Sequence, residues 1–363
     1  MPPVTVWLVG VFDRLTSGSY EQVTYCHDER TGLRAIIAIH STVLGPSLGG
    51  TRFYPYRTDD DALTDVLRLA QGMTYKAAAA GLDLGGGKAV IIGDPDSIRS
   101  DELILSYGRF VDSLSGRYIT AEDVGTTQAD MDLIRTVTPH VTGTSRGSGD
   151  PSPATARGVV AGMRAVADHL WGDRSLSGRH VAILGVGKVG SALAAGLAAE
   201  GARLSVADVD PLAVAEATHR HGAVPVPPEK IHTIECDIFS PCALGGILNE
   251  HTIPELACAA VCGSANNQLA APADAERLSA AGVLYAPDFV VNAGGVINIF
   301  AELGAYHTDA SVQLIDHIEQ TTARVITMAS TGAITTAAAA DRLAADRLDA
   351  ASPDHRIRRF DAR

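Results

Sequence analysis

No run of apolar residues in this 363-residue chain approaches the roughly 18–20 that a membrane-spanning helix needs, so no membrane association is expected. Positive charge is also scarce. Against 42 Asp and Glu stand only 29 Lys and Arg, a formal net charge of −13, which repels phosphate backbones and anionic lipid and argues against nucleic acid as a partner. The five cysteines, Cys26, Cys236, Cys242, Cys258 and Cys262, are odd in number and form no Cys-x-x-Cys pair. That pattern speaks against a disulfide framework and a zinc site and for reduced thiols, mostly in the core; no metal is expected. Residues 1–7 show no basic stretch ahead of an apolar one, so neither a secretory nor a transit segment is expected and the cytoplasm is the expected location. Fixed-period repeats are absent as well.

What is present is an ordinary globular composition, 46% hydrophobic and 20% charged, in a chain long enough for two domains of roughly 100–200 residues each. Apolar alternation at Glu21–His27 and the apolar run Arg34–His40 predict strands joined by a turn at Glu29–Gly32. Thr58 and the acids Asp59, Asp60 and Asp61 start a helix, with Leu63, Val66, Leu67 and Ala70 at helical spacing and Lys76 near its end. Gly85, Gly86 and Gly87 read as a loop leading into a strand at Lys88–Gly93. Ser100 opens another helix, and a strand follows at Arg117–Val124. Residues Val141–Pro153 are rich in Gly, Ser, Thr and Pro, the composition of a hinge. Beyond them, short apolar strands at Val181–Leu184, Leu204–Ala207, Ile238–Phe239, Ala259–Cys262 and Val283–Tyr285 alternate with helices, the pattern of a doubly wound parallel sheet. From Ser311 the chain reads as Ala-rich helix, with a frayed, Arg-rich tail at His355–Arg363. The expected fold class is α/β: residues 1–145 form an N-terminal α/β domain, 146–330 a Rossmann-type domain, and 331–363 a helical segment returning to the first domain across the cleft.

The most specific local signal follows the strand His180–Leu184. Gly185, Val186, Gly187, Lys188, Val189 and Gly190 form a Gly-x-Gly-x-x-Gly turn into a helix. Gly185 permits the tight turn, Gly187 lets a pyrophosphate approach the backbone, and Gly190 lets helix and strand pack closely. Asp208, 23 positions after Gly185, ends the next strand. An acid there accepts ribose hydroxyls and repels a 2′-phosphate, so NAD is the expected cofactor.

Three residues of the first domain suggest chemistry: Lys76, Lys88 and Asp123. Lys88 adjoins three glycines and the apolar strand Ala89–Ile92, and Lys76 has small or apolar neighbours. Partial desolvation and a nearby like charge both lower a lysine's pKa toward the range useful for proton transfer. Taken singly, each lysine also reads as a snorkelling surface residue.

Eight segments in order settle that choice: His40–Arg52, Gly72–Lys76, Gly85–Lys88, Thr120–Gly125, Ser148–Pro153, Pro241–Gly246, Ala265–Asn267 and Pro287–Gly295. Together they resemble the leucine/valine/phenylalanine branch of the glutamate dehydrogenase superfamily, over about residues 20–345. The resemblance implies NAD-dependent oxidative deamination of an L-amino acid to a 2-oxo acid and ammonium, by a homo-oligomer built through the first domain. It implies that Lys76, with the backbone of Gly49 and Gly50, holds the substrate carboxylate. Lys88 is then the catalytic lysine that assists water attack, Asp123 the acid that shuttles protons to the amino group, and Asn292 an amino-group ligand. Thr155 and Asn266 match residues near the nicotinamide, and Ala243 falls in a cofactor segment. On their own, Thr155 reads as part of a helix N-terminus and Asn266 as a turn residue.

Glutamate-specific members resemble the chain but carry a lysine at the position of Leu48 and a serine near that of Ile299. Burying a second carboxylate without such partners costs several kcal/mol, so glutamate is expected to be rejected. Aromatic-specific members commonly have Gly at the position of Ala121 and Leu at that of Val296, so both residues resemble the branched-chain type. Ile299 stands where a smaller valine is usual, which shortens the pocket toward valine, although one methylene is worth only about 1–3 kcal/mol. Valine or leucine is the expected substrate. A phenylalanine or other aromatic dehydrogenase on the same scaffold is the alternative, and a non-catalytic NAD-binding sensor is the alternative of another class.

Overall fold

The computed structural model describes residues 10–147, 149–304 and 308–351. The expected frayed tail, the extreme N-terminus and Ser148 lie outside the described residues. The chain divides into two compact units: one takes in the described residues of 1–78, 83–149 and 348–363, the other those of 79–82 and 150–347.

The first unit contains α1 (Val11–Ser17), β1 (Gln22–Asp28), β2 (Leu33–Ser41), β3 (Ser47–Tyr54), α2 (Asp59–Ala79), β4 (Gly85–Ile92), α3 (Pro95–Ile98), α4 (Asp101–Ser113), β5 (Tyr118–Glu122) and α5 (Gln128–Arg135). Its sheet has the order β1-β2-β4-β3-β5. The pairings of β2 with β1 and with β4 are antiparallel, and β3 runs parallel to β4 and β5. Strand β2 is buried on both faces, which explains its almost unbroken apolar run. Ile36 and Ala38 pack under Leu63, Val66, Leu67 and Ala70 of α2, while Ile37 and Ile39 face Leu103, Tyr107 and Val111 of α4 and Met131 of α5. Caps stand where expected: Thr58 Oγ1 accepts from Asp61 N at 3.0 Å and Ser100 Oγ from Leu103 N at 3.2 Å.

Two findings depart from the expectation. Ser47–Tyr54 is a full strand at the centre of the parallel portion. The three glycines are not a loop but the first residues of β4, in register beside Ser47 and Leu48 on one side and Ile39 and Ser41 on the other. Glycine is a turn signal locally, yet here neighbours on both faces require it. A Cβ on Gly86 would overlap the backbone of Thr74 in α2, and one on Gly87 would come within 2.8 Å of the Tyr118 ring.

The second unit contains α6 (Ser152–Trp171), β6 (His180–Leu184), α7 (Lys188–Ala199), β7 (Arg203–Ala207), α8 (Pro211–His221), β8 (Val224–Pro225), β9 (Cys236–Pro241), β10 (Cys258–Val261), α9 (Ala273–Ala280), β11 (Leu284–Tyr285), α10 (Asp288–Val291), α11 (Gly294–Glu302), α12 (Thr308–Gly332) and α13 (Thr336–Ala351). Its six strands are all parallel, in the order β11-β10-β9-β6-β7-β8. Helices α6 and α7 cover one face, with Val159, Met163, Leu193 and Leu197 on Val181, Ile183 and Val206. The other face carries Leu278 and Tyr285 on Ala182, Phe239 and Val261. Strand order reverses between β6 and β9, the switch point at which such sheets bind ligands beyond their carboxyl ends. Helix α13 belongs to this unit as far as Arg347.

All five cysteines are free; Cys26 and Cys262 are buried, and the other three are half-buried. Fewer are core residues than expected, because Cys236 and Cys258 sit at the first positions of adjacent strands. No helix among the described residues is long and apolar enough to cross a membrane.

Candidate active site

In the first unit, Lys88 occupies β4 on the same face as Gly86 and Val90, the face covered by α2. Its side chain is only 7% exposed, and its Nζ lies 3.1 Å from Oδ2 of Asp123, which directly follows β5. The two strands come together because Gly49 and Gly50 of β3 run between them. A Cβ on Gly49 would overlap the carbonyl of Gly87, and one on Gly50 would sit 2.6 Å from the Glu122 carbonyl and 2.8 Å from the Asp123 Cβ. Asp123 is further held through its backbone N–H, which donates to Thr126 Oγ1 at 3.0 Å.

Electrostatics follow from this burial. Desolvation pushes the Lys88 ammonium below the ordinary lysine value; Asp123 opposes that, and Arg52 adds to it. For Asp123 burial alone would raise the pKa, but Lys88 and then Arg52 outweigh it and hold the carboxyl below its usual range. Asp123 is therefore ionised at neutral pH, beside an amine that loses its proton more readily than a free lysine.

Arg52 was not visible as a functional residue in the sequence. Its Nε donates to the same Asp123 Oδ2 at 3.1 Å and its Nη1 to Asp65 Oδ2 at 2.8 Å. The Tyr56 hydroxyl donates to that Asp65 oxygen at 2.6 Å. Lys76, half-buried, lies in the last turn of α2. That turn is located by His40, whose Nε2 donates to the Gly18 carbonyl at 3.1 Å, so that its Nδ1 accepts from Thr74 Oγ1 at 2.8 Å. Leu48 and Ala121 are buried, on the same face of the sheet as Gly50.

In the second unit the Gly185–Gly190 turn lies at the switch point. Gly185 has φ +99°, and a Cβ there would come within 2.8 Å of Ala243 N, so the segments following β6 and β9 touch. Gly190 must lack a side chain because a Cβ would overlap the Gly185 carbonyl, whereas a Cβ on Gly187 would meet nothing within 4 Å. Gly187 is the N-cap of α7, whose first N–H groups receive no side-chain cap. This is an open cradle of backbone donors, suited to the pyrophosphate of a dinucleotide. Lys188 is exposed and Val189 half-buried, while Val186 is buried and its N–H donates to Asp208 Oδ2 at 2.7 Å. Asp208 Oδ1 accepts from Asp210 N at 2.9 Å. Each carboxylate oxygen keeps a second lone pair, so Asp208 braces the turn and remains able to accept a ribose hydroxyl.

Asn292 follows α10 and is buried. Its Nδ2 donates to the Ser264 carbonyl at 3.0 Å and to Asn266 Oδ1 at 2.9 Å. These acceptors fix the amide orientation, and Oδ1 is left as a buried acceptor without a partner among the described residues. Such an atom costs free energy unless a donor arrives. Thr155 lies in the first turn of α6, its hydroxyl bonded to the Pro151 carbonyl at 3.0 Å and 2.7 Å from where a Cβ on Gly295 would stand. Val296 is buried and Ile299 half-buried on α11.

Residues 20–140 match the family described as Glu/Leu/Phe/Val dehydrogenase, dimerisation domain, and residues 208–355 match Glutamate/Leucine/Phenylalanine/Valine dehydrogenase. The chain belongs to this dehydrogenase family. It is an amino acid dehydrogenase, an oxidoreductase of a family that works with a nicotinamide dinucleotide. The leucine dehydrogenase of Geobacillus stearothermophilus is 50% identical over 93% of each chain. The valine dehydrogenase of Streptomyces coelicolor is 52% identical over 93% of this chain and 94% of its own. Among solved structures, the L-tryptophan dehydrogenase of Nostoc punctiforme superposes with a TM-score of 0.86 at 42% identity, covering 95% of this chain and all of that one.

Within this dehydrogenase, Lys88 and Asp123 meet directly, as do Asn292 and Asn266, and Gly185 and Ala243. Arg52, Asp65 and Tyr56 are the residues that sequence reasoning passed over. Their contacts span a strand, a helix and the segment between them, which leaves no local sequence signal.

Proposed function

We propose that this dehydrogenase carries out the NAD-dependent, reversible oxidative deamination of a branched-chain L-amino acid, valine or leucine, to its 2-oxo acid with release of ammonium. The observation that carries this reading is the buried Lys88–Asp123 pair, an ionised carboxylate against an amine that holds its proton less tightly than a free lysine.

Bound at the Gly185–Gly190 turn, NAD supplies the hydride acceptor. The α7 N-terminus, with Gly187, Lys188 and Val189, would hold the pyrophosphate, and Ala243, Asn266 and Thr155 would serve the nicotinamide half. Asp208 accepts from the adenosine ribose, and its charge disfavours a 2′-phosphate, which is the basis for NAD over NADP. Lys76 and the backbone of Gly49 and Gly50 hold the substrate carboxylate. Asp123 takes a proton from the substrate ammonium: an O–H bond forms at the carboxylate, and the electron pair stays on nitrogen. In the second unit, the unpartnered Oδ1 of Asn292 is an acceptor suited to an amino group. Lys88, deprotonated, takes a proton from the water whose oxygen bonds to the oxidised Cα, and as an ammonium it steadies that oxygen. Asp123 then returns its proton to the nitrogen, and the Cα–N bond breaks with its electron pair going to nitrogen. The hydroxyl proton leaves with that nitrogen as ammonium, and the proton held by Lys88 passes to solvent. Leu48, Ala121, Val296 and Ile299 offer no partner for a second carboxylate, which supports an aliphatic side chain. We also place the enzyme in the cytoplasm, in keeping with its free thiols, and infer that copies associate through the first unit.

The test is NADH formation, followed by absorbance, with a panel of L-amino acids and with NAD or NADP. Valine or leucine should give the highest kcat/KM, and only with NAD. Phenylalanine or tryptophan ranking first would move the chain to the aromatic type. No turnover with any amino acid would overturn the reading.

A further inference from the structure

Arg52 lies in the first unit between two carboxylates, and the arrangement is directional. Both of its contacts and that of Lys88 use one oxygen of each acid: Lys88 Nζ and Arg52 Nε converge on Asp123 Oδ2, both at 3.1 Å, and Arg52 Nη1 and the Tyr56 hydroxyl converge on Asp65 Oδ2 at 2.8 and 2.6 Å. Asp123 Oδ1 makes no hydrogen bond to a described residue, so the oxygen turned away from the two cations is the one open to an incoming N–H. The far end of the bridge is anchored in helix. Asp65 belongs to α2, and its other oxygen accepts from Arg68 at 3.3 Å. Lys76 lies three turns further along α2, at about 3.6 residues per turn. The side chains of Arg52 and Asp65 are 23% and 17% exposed, dry enough for charge and geometry to matter.

We infer that Arg52, anchored by Asp65 and Tyr56, is a positioning residue that fixes the Asp123 carboxylate with Oδ2 on Lys88 and Oδ1 facing the substrate amino group. The inference rests on the proposed deamination. Arg52 touches neither substrate nor reacting atoms; it sets which carboxylate oxygen is free, and its charge favours ionised Asp123 and deprotonated Lys88 alike. Removing that charge therefore displaces both proton affinities in the same direction, upward.

The experiment compares wild type with R52Q and R52K. The readouts are kcat and KM across pH with L-leucine and L-valine at saturating NAD, and the ¹³C carboxyl titration of Asp123, which needs no turnover. In R52Q, kcat should fall about 10- to 100-fold, and the ascending limb and the Asp123 midpoint should both move up by about 1 pH unit. R52K keeps the charge but cannot span both acids with one fork. Its limb should return toward wild type while kcat stays low, with the KM for NAD unchanged in both variants. Loss of activity with an unmoved limb and an unmoved Asp123 midpoint would reduce Arg52 to a structural role and overturn the inference. Wild-type kcat in R52K would do the same, and would decide the matter if R52Q did not fold. If wild type turned over no amino acid, the proposed function would fail by itself, and the carboxyl titration would still decide whether Arg52 governs Asp123.

Discussion

Lys88 Nζ and Asp123 Oδ2 approach to 3.1 Å across β3, which separates β4 from β5 and carries a glycine, Gly50, at the position between them on that face, where a Cβ would come within 2.8 Å of the Asp123 Cβ. Burial lowers the proton affinity of Lys88, and the neighbouring cations lower that of Asp123, each below its value in water. Lys88→Ala should therefore keep the fold and NAD binding, measured by NADH fluorescence titration, while kcat drops by about 10²- to 10⁴-fold, the usual contribution of a positioned acid or base. Retained turnover would remove Lys88 from the mechanism.

Asp123→Asn preserves shape but leaves Lys88 buried without a counter-charge. Turnover should fall by a comparable factor, and the melting temperature should fall as well, since breaking a buried pair strands the remaining charge. The loss of stability should be largest below the pKa of Lys88, where the amine must carry its proton inside the protein, and should shrink as pH rises through it. Calorimetric melts of both proteins between neutral and alkaline pH check this.

The second and third glycines of the dinucleotide turn should respond oppositely. Gly190→Ala forces a Cβ into the Gly185 carbonyl and should lower the melting temperature markedly. Gly187→Ala places its Cβ in open space and should leave stability near wild type while raising the KM for NAD at least tenfold, because the methyl occupies the pyrophosphate cradle. Equal thermal shifts in the two variants would contradict the assignment of that space to cofactor.

Asp208→Asn can still accept from Val186 N, so the turn should persist. Without the negative charge, the ratio of kcat/KM for NAD over NADP should fall by about tenfold or more, an energy of about 1.4 kcal/mol. An unchanged ratio would place the discrimination elsewhere.

Ile299→Val enlarges the proposed side-chain pocket by one methylene. The ratio of kcat/KM for leucine over valine should rise, by a factor within the roughly 10–200-fold range that one methylene commands. A ratio that stays constant would take Ile299 out of the pocket.

How much of this was legible beforehand depends on the range over which each signal acts. The Gly185–Gly190 turn is a local device, with strand, glycines and helix consecutive in the chain. The helically spaced apolar residues of α2 and the Thr58 and Ser100 caps were readable for the same reason. The triplet Gly85, Gly86 and Gly87 misled because glycine is a loop signal only until packing is known. In β4 it answers to Thr74, Tyr118 and the Gly45 and Ser41 carbonyls, all remote in sequence. The Arg52–Asp65–Tyr56 bridge was invisible because its members come from a strand, a helix and the segment between them, and polar contacts of that kind leave no periodicity. Asn292 was known only by resemblance. That its Oδ1 is the atom left unpartnered depends on Ser264 and Asn266 capturing its amide nitrogen.

Strand β4 also divides the protein's tolerance to change. At three successive positions ahead of Lys88 even a methyl group collides with backbone or ring, so the neighbourhood of the proton-transfer pair can hardly vary by point substitution. Val296 and Ile299 stand in a different compact unit, on α11, outside that glycine strand. Laboratory evolution toward new amino acids should accordingly accumulate changes on α11 and leave the glycine strand untouched, altering what is deaminated without disturbing how.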